Sequence, residues 1–236
     1  MQRRLARQRR PRSRWQFARD VLVILLIAIV ASTLIRTFLV RSFFIPSASM
    51  ASTLVDGDRV LVNELEPSLI PLQRGDVIVF SDPGGWLTAT TPETQPPLVA
   101  AVNGMLDLTG ISPTDSNDHL IKRVIGLPGD RVVCCNAEGQ TTVNDVVLDE
   151  PYLHDPLATT LAVPFSVTVP AGSLWVEGDN RGNSKDSRLN LDTPGGGFVP
   201  IADVVGRALV TTYPITRWTY LDNYPGVFAG VPDAPG

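Results

Sequence analysis

The chain has 236 residues, 44% hydrophobic and 19% charged, enough for one domain of ordinary size plus an anchor and too apolar for a disordered polypeptide. From residue 42 onward ten Lys+Arg face 23 Asp+Glu, a net charge of −13. A body that acidic argues against nucleic acid as a partner.

The other ten basic residues lie in residues 1–41. Arg3, Arg4, Arg7, Arg9, Arg10, Arg12, Arg14 and Arg19 are opposed there only by Asp20, so residues 1–19 read as a basic cytoplasmic arm. Residues 20–40 read as a transmembrane signal anchor. The run Val21 to Val40 is apolar except for Ser32, Thr33, Arg36 and Thr37, and about 20 residues of helix span a hydrocarbon core. Arg36 is close enough to one end to snorkel. Positive charge ahead of the span predicts a cytoplasmic N-terminus and an exported remainder. A cleavable leader is the competing reading, weakened because no small-x-small site precedes Arg41.

Residues 41–236 predict a mainly β, antiparallel domain. Val- and Ile-rich runs punctuated by Gly, Pro and Asp give strands at Arg59–Asn63, Asp76–Phe80, Leu120–Ile125, Arg131–Cys134, Phe165–Val169, Leu174–Glu177 and Val204–Tyr213. Residues 83–118, with Gly84-Gly85 and Pro92, Pro96 and Pro97, read as a surface insertion in which Leu98–Leu108 makes a short helix. Residues 131–170 form a small accessory β region. The tail from Asn223, with Pro225, Pro232 and Pro235, is expected to be loosely ordered. The only cysteines, Cys134 and Cys135, are neighbours; strand alternation would point them to opposite faces, a vicinal bond is strained, and the spacing suits no zinc site.

Three segments carry chemistry. Phe43-Phe44-Ile45-Pro46-Ser47-Ala48-Ser49-Met50 holds two serines in a proline-stiffened stretch. Ser49 is nine residues past Val40, within roughly 30 Å of the bilayer even if fully extended. Lysine is rare: only Lys122 and Lys185 occur among 20 basic residues. Leu120, Lys122 and Val124 share a strand face, where burial would lower the lysine pKa. Bringing it from about 10.4 to near 8 costs roughly 3 kcal/mol, and the neutral amine then serves as a general base. The plainer alternative is a snorkelling surface lysine. The third segment, Glu177 through Arg188, is a polar loop by composition. It also crowds Asp186 and Arg188 beside Ser184, where an ion pair would hold the serine. His119 and His154 lack a hydrolase motif around them, and neither G-x-S-x-G nor S-x-x-K occurs.

Taken in order, these motifs resemble those of the bacterial type I signal peptidases, membrane-bound serine proteases with a Ser-Lys dyad. The matching segments are Ile45-Pro46-Ser47-Ala48-Ser49-Met50, Gly57-Asp58-Arg59-Val60-Leu61-Val62, Arg74-Gly75-Asp76-Val77-Ile78-Val79-Phe80, Lys122 through Asp130, and Gly178 through Arg188. The resemblance implies Ser49 as nucleophile and Lys122 as its base, with the Ser47 hydroxyl and Ser49 N–H as oxyanion hole. It implies that Ser184 orients the amine, that Gly178, Asp186 and Arg188 support that loop, and that Phe43, Ile45, Leu54 and Ile121 line shallow substrate pockets. It further implies exported preproteins as substrates, cut after a small-x-small motif through an acyl-enzyme, the lipid bilayer as a second partner, and no cofactor or metal. The chain departs from the pattern at Ala51 and Ser52, where relatives often carry a larger residue and a proline, so the turn after Ser49 is expected to be less rigid. A membrane-tethered β module that binds peptides without cleaving them is the rival outside enzymes.

Overall fold

A computed structural model defines the fold. It describes residues 14–87, 118–155 and 164–233, the side chains of residues 14 and 31–38 excepted. The chain divides into two units, residues 1–38 and 39–236.

The first unit contains helix α1 (Arg14–Phe38). Its described apolar side chains are exposed, Leu22, Ile24 and Ile27 each above 60%. Among the described residues no helix is long and apolar enough to cross a membrane. The helix begins ahead of the expected span and stops at Phe38, short of Val40. The last apolar residues instead form strand β1 (Val40–Phe44), which pairs antiparallel with β2 (Arg59–Asn63), Val40 opposite Asn63 and Phe44 opposite Arg59.

The second unit is mainly antiparallel β-sheet. The larger sheet adds β3 (Val77–Ser81), β4 (His119–Gly126), β9 (Ser173–Glu177), β10 (Val199–Pro200) and β11 (Val204–Tyr213) in the order β1-β2-β11-β3-β4-β9-β10, with β12 (Thr219–Tyr220) on β11. A smaller sheet runs β7 (Val146–Val147), β6 (Thr142–Val143), β5 (Arg131–Cys134), β8 (Phe165–Thr168). The seven expected strands are present to within a residue at each end. The residues 88–117 of the expected insertion, including Leu98–Leu108, lie outside the described residues.

One turn recurs at the entrances to β2, β3 and β5. Gly57, Gly75 and Gly129 have φ near +90°, a conformation that suits glycine. The aspartate after each folds its carboxylate back onto the backbone N–H three residues earlier: Asp58 onto Val55, Asp76 onto Gln73, Asp130 onto Leu127. Each of these carboxylates is fully buried and paired with an arginine, Arg217, Arg207 and Arg74 respectively. The turns and their ion pairs thus fix where three strands begin.

Two expectations fail. Among the described residues the tail is ordered: Pro225–Phe228 makes a helical turn, α2, and Phe228 and Val231 are buried with Val132, Trp175 and Leu148. Burial of these two apolar side chains outweighs the three prolines. Cys134 and Cys135 are joined in a vicinal disulfide. β5 ends at Cys134, so strand alternation does not extend to its neighbour.

Candidate active site

Ser49 sits in a short 3₁₀ turn, Ala48–Met50, that follows Pro46. The turn exists because Ser47, in extended conformation, caps it: its side chain accepts a hydrogen bond from the Ser49 N–H at 3.1 Å. The two groups expected to form an oxyanion hole are therefore bonded to each other here, with Ser47 exposed and Ser49 buried.

Lys122 lies mid-strand in β4, opposite Ile78 of β3. Every residue from Ile121 to Gly126 is buried, because neighbouring strands and core cover both faces, and this erases the alternation. The Lys122 side chain reaches Ser49, its Nζ donating to Oγ at 2.7 Å and to the Ile121 carbonyl at 2.9 Å. Lys122 is only 3% exposed. That burial brings its pKa down to about 8, against the opposing pull of the Asp186 and Asp179 carboxylates. A serine hydroxyl against a largely desolvated amine is an arrangement able to pass a proton.

The Gly178–Arg188 segment closes the site. Asn180 grips the Ser49 turn, its N–H donating to the Ser49 carbonyl and its Nδ2 to the Ala48 carbonyl, both at 3.0 Å. Gly178 is excluded from carrying a side chain: a Cβ there would collide with Ser184 Oγ and lie 2.5 Å from the Ser49 carbonyl oxygen. The Gly178 N–H donates to Asp186, and Arg188 forms a paired contact with the same carboxylate. The local backbone is not the extended one expected, since Ser187–Leu189 is a 3₁₀ turn capped by Asp186. The ion pair forms within that turn. Although buried, Asp186 has its pKa held below the usual value, the neighbouring Arg188 guanidinium and the Gly178 N–H outweighing desolvation. Ser184 is buried against Gly178 and makes no hydrogen bond to Lys122, so the direct contact expected of it is absent.

Phe43, Ile45, Leu54 and Ile121 come together in one apolar cluster with Met50, Val60 and Val62. Leu54 is fully buried, and Phe43 and Ile45 are nearly so. Phe43 meets the His119 ring at 5.3 Å, which brings β1 and the start of β4 together.

Sequence reasoning passed over several residues packed around this site. Arg123, next to Lys122 and fully buried, makes a two-pronged bond to Asp179, which also accepts from Thr53 four residues after Ser49. Arg181 lies between Glu150 and Glu177. The signal available was chemical: arginine and acid side by side in segments otherwise bound for the core.

The match to known proteins follows this geometry. The family model described as "Signal peptidase, peptidase S26" matches residues 18–213. A signal peptidase I from Mycobacterium tuberculosis is 40% identical over 221 residues, 85% of this chain and 74% of that one. A probable signal peptidase I from Mycobacterium leprae is 36% identical over 231 residues, 86% and 78%. A probable signal peptidase I-1 from Synechocystis is 33% identical over 216 residues, 90% and 91%. The fold and these relatives define a serine peptidase, a hydrolase. The chain belongs to the signal peptidase family, peptidase S26.

Proposed function

We propose that the protein is a membrane-bound endopeptidase that removes signal peptides from exported preproteins, with Ser49 as nucleophile and Lys122 as general base. The observation that carries the reading is the 2.7 Å approach of Ser49 Oγ to a lysine amine shielded from water. Ser49 Oγ attacks the scissile carbonyl carbon as its proton passes to Lys122 Nζ. The Ser47 hydroxyl and the Ser49 N–H, swung away from one another, then donate to the developing oxyanion. Collapse of the tetrahedral species breaks the C–N bond, the leaving amine takes the proton from Lys122, and the signal peptide stays esterified to Ser49. Water, losing its proton to Lys122, attacks that ester, and as the C–Oγ bond breaks Lys122 returns the proton to Ser49 Oγ, freeing the signal peptide as its carboxylate and restoring Ser49.

Substrate selection follows from the surroundings. β1 stands at the end of the sheet order, and an extended peptide adds naturally along such an edge. Phe43, Ile45 and Ile121 beside it are almost wholly buried, so a substrate side chain would find only shallow apolar room there, which suits a small-x-small cleavage motif. The unbroken apolar run of residues 21–31 and the exposed apolar side chains on α1 support a single-pass anchor with a cytoplasmic N-terminus. The peptidase body then works outside the cytoplasm, where a preprotein emerges from the bilayer.

The test is cleavage of a preprotein by detergent-solubilised protein. Ser49→Ala and Lys122→Met should each abolish cleavage, and full activity in either variant would defeat the reading.

A further inference from the structure

Glu150-Pro151-Tyr152 belongs by sequence to the accessory β region, just after β7, yet its side chains point at three parts of the site. The Tyr152 ring packs beneath the Arg123 guanidinium, 4.2 Å from the ring centroid, beside the strand residue that carries the amine. Its hydroxyl donates to Glu150 Oε1 at 2.7 Å. Both Glu150 oxygens accept from Arg181, whose Nε donates to the Gly178 carbonyl. Arg181 directly follows Asn180, the residue that holds the Ser49 carbonyl. Finally, the Tyr152 carbonyl accepts a 2.6 Å hydrogen bond from Ser52 Oγ, three residues past the nucleophile.

Ser52 gives this geometry a second, independent mark. Its φ is +82°, a left-handed conformation unusual for a residue with a side chain. It is also where the chain departs from the pattern it resembles. The turn expected to be less rigid is instead tied across 100 residues of sequence.

We infer that Glu150 and Tyr152 are positioning residues that clamp the Ser49 turn from two sides, through Ser52 and through Arg181–Asn180. They touch no reacting atom. They hold the Ser49 turn and Asn180 where Oγ meets the Lys122 amine, and reaction rates are steep in such placement. The inference rests on the Ser49–Lys122 reading above.

Ser52→Gly is the decisive variant, because glycine accepts the +82° φ at no steric cost while the bond to Tyr152 is lost. In the full-length protein in detergent, its Tm should stay within a few degrees of the wild type, because relief of the +82° φ offsets most of the lost bond. Its kcat for preprotein cleavage should fall about fivefold, the scale of one hydrogen bond, with KM nearly unchanged and the rising limb of the pH profile still near 8. Tyr152→Phe, which removes only the hydroxyl, should lower kcat in the same way. Wild-type kcat in folded Ser52→Gly, or activity that merely tracks Tm in both variants, would overturn the clamp. Ser49→Ala run alongside separates the two claims, since cleavage by that control sinks the underlying reading instead.

Discussion

Replacing the proposed base is expected to stabilise the fold at neutral pH. Lys122 is 3% exposed and its pKa is brought from 10.5 to about 8 by burial. At about 1.36 kcal/mol per pH unit that gap corresponds to ~3 kcal/mol. The sign follows from proton counting. Below pH 8 both folded and unfolded chains carry the proton, so the folded state bears the whole cost of a buried charge. Between 8 and 10.5 the folded chain has shed it and the unfolded chain has not, so wild-type stability climbs with pH. Above 10.5 the cost is gone. Lys122→Met keeps apolar bulk and removes the charge, so it should exceed the wild type by up to ~3 kcal/mol at pH 7, roughly 6–12 °C in Tm for a domain of this size. Loss of the hydrogen bonds to Ser49 Oγ and the Ile121 carbonyl offsets about 1 kcal/mol each. Thermal melts in detergent from pH 6.5 to 10.5 isolate the charge, since packing contributes equally at every pH. A difference between the two proteins that does not shrink as pH rises would refute the reasoning.

Three further outcomes are expected. Gly178→Ala should cut cleavage at least about tenfold, because the new Cβ presses on the Ser49 carbonyl and on Ser184; a kinetic assay showing wild-type turnover would contradict the close packing. Asp186→Asn removes a carboxylate whose charge raises the Lys122 pKa, so the rising limb of the pH profile should move to lower pH, and a shift upward would reverse the assigned electrostatics. Full-length protein should stay with lipid vesicles through alkaline carbonate extraction, whereas release into the supernatant would contradict the anchor.

The serine and the lysine were legible for different reasons. Ser49 stood out by its nearness to the apolar run, and Lys122 because arginine carries nearly all the other positive charge. The fold class was also readable, since Val- and Ile-rich runs opened by Gly-Asp announced β2, β3 and β5. β1 was hidden because Val40–Phe44 continues the apolar pattern of α1, and only pairing with β2 makes it a strand. The ordered tail was hidden because Phe228 and Val231 meet a core built from residues about 30 to 100 positions earlier. The Arg181–Glu150 ion pair and the Ser52–Tyr152 bond join distant segments, and no local pattern encodes such pairings. Ser184 is the opposite case: the sequence suggested a contact with the amine, and the 3₁₀ turns around it supply none.

The most direct test is the pH dependence of kcat/KM for preprotein cleavage, which reports the free enzyme's essential base. A lysine brought to about 8 predicts a rising limb centred there, with about a tenth of full activity at pH 7. A limb centred near the ordinary histidine value of about 6.5, or activity level across the whole range, would contradict the assignment of Lys122 as the group that takes the proton from Ser49.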